Sequence, residues 1–324
     1  MCTAITYAPH AHYFGRNLDL NVSYHEQVTI TPRHYPFNFR RMGENANHYA
    51  MIGMATVVED YPLYYEATNE KGLSMAGLNF PRNAVFKPEV DTRDNVSPFE
   101  FIPWILGQCA TIEEVKERLA TIHLINLNFS DALPLHPLHW MIADKDTAIV
   151  VEPMADGLRV YDNPVGVLTN NPSFEYQLFN LNDYRHVSTK LPANTFAPNV
   201  NLDAYCLGLG GIGLPGDLSS MSRFVRATFA KFNSVCESTE ASAVGQFFKL
   251  LDTVLQTRGL NEAEDGSYEY TIYSSCCNVD AGIYYYRTYE NHQITAVSLF
   301  NEQLDGERLI TYPLQHDAQI LYVN

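Results

Sequence analysis

Long apolar runs are missing from this 324-residue sequence, in which no stretch approaches ~18 consecutive apolar residues, the length that marks a membrane-spanning helix. The N-terminus, MCTAITYAPHAHYFGR, also lacks the basic start and apolar core of a signal peptide. We therefore expect a soluble protein that is made in the cytoplasm and has no membrane partner.

Positive charge is scarce as well. The sequence has 21 Lys and Arg against 37 Asp and Glu, for a formal net charge of -16. No basic run interrupts this excess, so nucleic acid is excluded as a partner. Because the overall field repels anions, an anionic ligand would need Arg or Lys side chains close to its site.

Cysteine is too rare and too irregularly spaced for a disulfide framework. No CxxC spacing indicates zinc, so we predict reduced thiols and no metal site. The six cysteines are Cys2, Cys109, Cys206, Cys236, Cys276 and Cys277.

Hydrophobic residues make up 46% of the chain, which is enough to bury a full core. We find no repeat or linker that would divide it, and we predict a single domain over 1–324. The first eighty residues contain β-branched and aromatic segments separated by turn residues, which predict a sheet of short antiparallel strands. Further strands are predicted between 138 and 170 and in the C-terminal third.

Helices are predicted from capping signals and apolar periodicity. Ser97, Pro98 and Glu100 combine an N-cap, a proline at the first helical position and a capping-box glutamate. The predicted helices span 98–108, 112–121, 174–185, 219–234 and 241–257. Blocks of strands and helices of this kind favour a layered α+β fold. The aperiodic segment 186–218 is long enough for a loop that takes part in assembly.

Cys2 is the candidate nucleophile. Removal of Met1 would leave one residue with both a thiol and a free α-amine, so that nucleophile and base come from the same residue. An α-amine titrates near 7.7–8.0 in model peptides, and on the order of a tenth of it is free base at neutral pH. The alternative is that Cys2 is a small apolar residue that starts an edge strand.

Polar residues at four other places could complete a site around Cys2. Arg16 and Asp19 follow one short turn later, where a cation would favour the thiolate and a carboxylate would orient the amine. Asn79 and Asn170 each end an apolar strand, so their amides could stabilise an oxyanion. Arg223, on a predicted helix, is the fourth candidate. Taken singly, each has another interpretation: Arg16 and Asp19 could form a surface ion pair, the two asparagines could form turns, and Arg223 could be a solvated helix charge.

Five motifs in order and spacing resemble the choloylglycine hydrolase family of N-terminal nucleophile hydrolases over essentially the whole chain, and the bile salt hydrolases in particular. They are Met1-Cys2-Thr3, FGRNLD, AGLNFP, LTNNP and GLPGD followed by SRF. The resemblance implies a four-layer αββα sandwich and a homotetramer. It also implies a set of catalytic residues: Cys2 as nucleophile and base, Arg16 and Asp19 beside it, Asn79 and Asn170 for the oxyanion and the amine, and Arg223.

The activity implied by the resemblance is hydrolysis of glycine- and taurine-conjugated bile salts through a Cys2 thioester, without a metal or organic cofactor. Penicillin V acylase activity with the same machinery is the alternative. Asn79 favours bile salts, because many penicillin V acylases have Tyr at the corresponding position. The resemblance also suggests residues that line the substrate pocket: Leu18, Val58, Tyr65, Phe129 and Leu133.

Two other classes of function remain open at this point. A papain-like enzyme would use Cys109 with His139 or another histidine, although Cys109 has no activating neighbour in the sequence. A non-catalytic binder of small apolar ligands would suit the 12% aromatic content. Neither explains the five motifs together.

Overall fold

Two antiparallel sheets pack face to face in the computed structural model, which describes residues 1–324. From edge to edge, the six-stranded sheet contains β14 (Val167–Leu168), β1 (Cys2–Tyr7), β2 (Tyr13–Leu20), β15 (Tyr270–Asn278), β16 (Ile283–Thr288) and β17 (Thr295–Ser298). The eight-stranded sheet contains β13 (Gly157–Asp162), β12 (Ala148–Met154), β11 (Leu138–Ala143), β8 (Ser74–Asn79), β7 (Tyr61–Asn69), β6 (Met51–Val58), β3 (Gln27–Thr31) and β18 (Ile310–Pro313).

Helices cover the outer faces of both sheets. The helices are α1 (Phe101–Leu106), α2 (Ile112–Leu119), α3 (Phe174–Asn180), α4 (Ser220–Asn233) and α5 (Glu240–Asp252). Helix α1 packs on β7 and β8, whereas α4 and α5 pack on β1, β2 and β15. The order of layers is therefore helix, sheet, sheet, helix, and the predicted αββα sandwich is confirmed. No helix has both the length and the hydrophobicity to cross a membrane.

Two minor ladders complete the strands: β4 (Phe37–Phe39) with β5 (Gly43–Asn45), and β9 (Asp94–Val96) with β10 (Ile122–Leu124). Short 3₁₀ turns span Pro98–Glu100, Leu181–Tyr184, Leu209–Gly211 and Leu299–Asn301. Apart from the third of these turns, the segment 186–218 has no regular secondary structure, and most of its side chains are exposed.

All five predicted helices are present, and the capping box at Ser97 and Glu100 is formed. Three predicted ranges differ at their ends. The predicted helix 98–108 is a 3₁₀ turn at Pro98–Glu100 followed by α1, which ends at Leu106. The predicted helix 174–185 is α3 followed by a 3₁₀ turn, and α5 ends at Asp252 rather than 257. Leu255, which lies within the predicted range, is thus beyond the end of α5, and it is half-buried.

The prediction of one sheet over the first eighty residues is also wrong. Strands β1 and β2 belong to the six-stranded sheet, β4 and β5 form their own ladder, and β3, β6, β7 and β8 belong to the eight-stranded sheet. Strand β2 is buried on both faces, and a Cβ atom at Gly15 would lie 2.0 Å from the Ser275 carbonyl oxygen of β15. Only glycine permits this close approach, which holds β2 in the middle of its sheet.

The register of β1 and β2 brings the N-terminus to the centre of the molecule. Cys2 pairs with Leu18 and Ala4 with Arg16, so the side chains of Cys2 and Arg16 share one face of the sheet. Met1 extends this pairing, because its N–H group donates to the Asp19 carbonyl and its carbonyl accepts from the Asp19 N–H. The initiator methionine is thus part of the sheet.

Candidate active site

Cys2 lies at the start of β1, where its side chain borders a deep cleft between the two sheets. Its backbone N–H donates to Asn170 Oδ1 over 2.8 Å. Strand β14 pairs with β1 through Ala4 and Leu168, which places Asn170, two residues beyond Leu168, beside Cys2. The structure therefore brings together two residues that are 168 positions apart.

Arg223 ties Cys2 and Asn170 to helix α4. Its guanidinium donates to the Cys2 carbonyl, to Thr3 Oγ1 over 2.6 Å and to Asn170 Oδ1 over 2.7 Å. The side chain is fully buried, and burial lowers its pKa while Asp19 and Cys2 oppose that shift. Arg223 is thus not a solvated helix charge but a fork that binds three oxygens of the site.

Asn79 approaches from the other sheet at the end of β8. Asn170 Nδ2 donates to the Asn79 carbonyl over 2.7 Å, so the two asparagines are linked directly. The side-chain amide of Asn79 borders the cleft and makes no hydrogen bond within the chain. It is therefore available to a ligand.

Asp19 is buried beneath the N-terminus. Its Oδ1 accepts from the Thr271 hydroxyl over 2.6 Å, and its Oδ2 has no hydrogen-bond partner. Burial raises the pKa of Asp19, whereas the N-terminal ammonium and Arg223 act in the opposite direction. An unpartnered, buried carboxylate oxygen at this place is suited to an ammonium group.

Arg16 is also fully buried and borders the cleft beside Cys2. Its Nη1 donates to the carbonyls of Gly77 and Tyr65, and its Nε lies 3.8 Å from Glu66 Oε2. Burial alone would lower the pKa of Arg16, but Cys2, Tyr273 and Glu66 together raise it. The guanidinium is therefore charged, and it is the one Arg or Lys side chain that borders the cleft.

The cleft encloses about 1120 Å³ of empty space, including its open mouth. Of the five residues predicted to line it, Leu18, Tyr65, Phe129 and Leu133 do so. Val58 is half-buried at the end of β6 and is not among the residues that border the cleft. Sequence reasoning missed other apolar lining residues: Leu20, Tyr24, Leu63, Phe99, Ile102, Leu135, Leu138 and Trp140.

Cysteines elsewhere in the chain lie in different surroundings. Burial raises the pKa of Cys109 to about 11 and that of Cys277 to about 12, which disfavours their thiolates. His139 cannot activate Cys109, because its two ring nitrogens face Glu152 and the Thr169 carbonyl. The papain-like alternative therefore has no support in the structure.

Comparison with known proteins connects this site to a family. A family model described as linear amide C–N hydrolases, choloylglycine hydrolase family, matches residues 2–312. The chain is 57% identical to a bile salt hydrolase/transferase of Lactiplantibacillus plantarum, with 100% of both chains covered.

Solved structures agree with this result. A crystal structure of a variant of the conjugated bile acid hydrolase from Clostridium perfringens is 35% identical and superimposes with a TM-score of 0.93, with 100% of both chains covered. A penicillin V acylase from Agrobacterium tumefaciens is 16% identical, with a TM-score of 0.78 over 97% of this chain and 92% of the other. At that identity, the second likeness concerns the fold alone.

Proposed function

Because the chain belongs to the choloylglycine hydrolase family of linear amide C–N hydrolases, we propose that it hydrolyses the amide bond of glycine- and taurine-conjugated bile salts. The proposal depends above all on one observation. Cys2, Arg16 and the unpaired amide of Asn79 border the same apolar cleft. The products are the free bile acid and the amino acid.

The base in this proposal is the α-amine that Cys2 gains when Met1 is removed. That amine would keep the hydrogen bond to Asn170 Oδ1, and the unpartnered Oδ2 of Asp19 offers a counter-charge when the amine is protonated. Burial lowers the pKa of the Met1 ammonium. We expect the same burial to favour the free base at Cys2, which is the form that accepts a proton.

The reaction begins when the Cys2 thiol gives its proton to the amine and the thiolate attacks the substrate carbonyl. The new C–S bond produces a tetrahedral oxyanion, to which the Asn79 amide donates a hydrogen bond. Collapse breaks the C–N bond, and the ammonium protonates the departing glycine or taurine. Water, deprotonated by the amine, then hydrolyses the thioester and restores the thiol.

The shape and charge of the cleft support an apolar acyl group and an anionic substrate. Most of its lining is hydrophobic, and it contains no Asp or Glu. Its apolar wall and open mouth suit a bulky apolar acyl group such as a steroid nucleus. Arg16 supplies a local positive charge that attracts an anionic substrate, although the chain as a whole has a net charge of -16.

We also propose a homotetramer in the cytoplasm, with residues 1–324 acting as one domain. The larger of two core clusters contains residues of both sheets, from Cys2 to Leu314, which supports one domain. The segment 186–218 exposes large apolar side chains, among them Phe196, Tyr205 and Leu207, which supports its role in assembly. Light scattering of the purified chain, with a variant that carries Ser at these three positions, tests the assembly.

Turnover of taurocholate and glycocholate tests the proposed function. We would confirm the loss of Met1 by mass spectrometry, incubate the protein with each conjugate under reducing conditions, and quantify the released amino acid. Release that disappears in Cys2→Ala is the expected result. Cleavage of penicillin V without cleavage of either conjugate would favour the alternative substrate, and activity that survives in Cys2→Ala would contradict the mechanism.

A further inference from the structure

Two segments that are distant in the sequence supply the site with asparagines, and both contact one buried histidine. His139 lies on β11 and pairs with Leu78 of β8, next to Asn79. Its Nε2 lies 2.9 Å from the carbonyl oxygen of Thr169, next to Asn170. A single imidazole thus contacts the immediate neighbours of both asparagines.

The contact with the Asn79 segment is a ring stack. Phe80, which follows Asn79, lies parallel to the His139 ring at a centroid distance of 4.2 Å and an interplanar angle of 4°. Both side chains are fully buried. Because a buried stack leaves little room for rotation, it fixes the end of β8 where the Asn79 amide enters the cleft.

The contact with the Asn170 segment is a directed hydrogen bond. A carbonyl oxygen only accepts hydrogen bonds. The Nε2 atom of His139 therefore carries a hydrogen atom and donates a hydrogen bond to the Thr169 carbonyl. Nδ1 lies 3.1 Å from Glu152 Oε1, a contact that needs a second proton between these two atoms, and Oε1 also accepts from the backbone N–H of Phe174. Glu152 therefore holds the ring in the orientation in which Nε2 faces Thr169.

His48 provides the contrast that separates this arrangement from an ordinary buried histidine. Its two ring nitrogens face the backbone carbonyls of Tyr35 and Tyr49, each over 2.9 Å, and its ring lies 4.9 Å from that of Phe37. It is 6% exposed. His48 is thus buried and bonded through both ring nitrogens like His139, but none of its partners is adjacent in sequence to a residue of the candidate site.

We propose that His139 is a positioning residue for amide hydrolysis, which sets the distance between the Asn79 and Asn170 amides and Cys2. The inference rests on the roles proposed above for those two asparagines. His139 does not touch the substrate or exchange a proton with it. Its effect should therefore appear in kcat, since small displacements of catalytic groups raise the barrier without removing the acyl-binding wall.

The test compares His139→Leu, His139→Gln and His48→Leu with the wild-type chain, each with its unfolding midpoint measured. His139→Leu removes the donor and should lower kcat by about 10- to 100-fold while KM changes less than threefold. His139→Gln keeps an N–H group that reaches Thr169 and should recover most of that loss. His48→Leu should lower stability to a similar degree and leave kcat of the folded protein within twofold.

Phe80→Leu extends the test in case His139→Leu does not fold, because it keeps an apolar side chain and removes only the stack. A fall in kcat at constant KM is expected there too. The proposal is overturned if kcat is unchanged in folded His139→Leu and in Phe80→Leu, or in Phe80→Leu alone where His139→Leu does not fold. It is also overturned if His48→Leu lowers kcat as much as His139→Leu or Phe80→Leu. These ratios use whichever amide the wild type cleaves, so wild-type turnover decides the proposed function separately.

Discussion

Helix α4 contacts strand β1 through two cations, Arg223 at the Cys2 end and Lys231 near the Tyr7 end. Arg223 donates to three oxygens of the candidate site, and Asp19 lies close enough to act on its charge. Lys231 Nζ donates to Thr6 Oγ1 over 2.8 Å and to the Val165 carbonyl over 2.6 Å, and it has no carboxylate partner.

The difference between the two cations indicates which of them belongs to the proposed site. The guanidinium has a nearby carboxylate and a fixed fork, so its charge and its geometry both contribute to the site. The ammonium is surrounded by neutral oxygens, and burial lowers the pKa of Lys231 to about 8. Both cations attach the helix to the strand, but only Arg223 is part of the proposed chemistry.

The largest effect is expected when the hydrogen bonds of Arg223 are removed. Arg223→Met removes the Arg223 donor from the Cys2 carbonyl and Thr3 Oγ1, and one of the two donors to Asn170 Oδ1, in a buried place. We expect the free energy of unfolding to fall by about 3–5 kcal/mol, as for other broken buried pairs. We also expect kcat to fall at least about 100-fold because Cys2 and Asn170 shift.

Urea denaturation and steady-state kinetics measure these two effects. Lys231→Met is the matched control, since it removes a cation from the same helix without touching the site. If kcat of folded Lys231→Met fell as far as that of Arg223→Met, the functional difference between the two ends would be wrong.

The second effect is the pH dependence of stability at the Lys231 end. A pKa lowered from 10.5 to about 8 in the folded state means that the unfolded chain binds a proton more readily in that range. The free energy of unfolding should therefore rise by up to about 3 kcal/mol between pH 8 and 10.5 and be lost again as the pH falls through 8.

This rise should disappear in Lys231→Met, and the difference between wild type and variant isolates it from other titrating groups. Urea midpoints at pH 7.5, 9 and 10.5 are sufficient. Parallel curves for the two proteins would show that the pKa of Lys231 is the same in the folded and unfolded chain.

The smallest effect concerns the two threonines that accept from these cations. Thr3→Val removes one acceptor from Arg223, and Thr6→Val removes one from Lys231, each with little change of shape. Each should cost about 1–2 kcal/mol of unfolding free energy. Only Thr3→Val should also change kcat, by a few-fold, which steady-state assays resolve. An equal change of kcat in Thr6→Val would contradict the comparison.

Local signals explain what could be predicted from the sequence. Ser97 and Glu100 form the expected capping box, because caps depend on residues three positions apart. The division of the strands between two sheets could not be predicted in this way, since hairpin patterns after β2 look alike whether the next strand joins the same sheet or faces it. The close contact of Gly15 with Ser275 depends on a strand 260 residues later.

The candidate site shows the same limit. Its polar residues stand in recognisable motifs, and the structure brings Cys2, Asn79, Asn170 and Arg223 together by hydrogen bonds. The cleft wall was harder to predict, because Phe99 and Ile102 come from a helix entry and Leu135 from a loop. The sequence around His139 does not indicate its proposed role, because its partner Glu152 lies on β12 and its partner Thr169 follows β14.

The pairing of Met1 with Asp19 affects when Met1 is accessible to an aminopeptidase. An isolated hairpin is marginally stable, so this pairing becomes secure only when later strands and α4 have been made. At ~5–20 residues per second, roughly 10–45 s separate the synthesis of Cys2 from that of Arg223. During that interval the N-terminus is open to an aminopeptidase, whereas afterwards Met1 is held by two backbone hydrogen bonds. We therefore expect the proposed removal of Met1 to take place during synthesis, before β1 is enclosed by the rest of the fold.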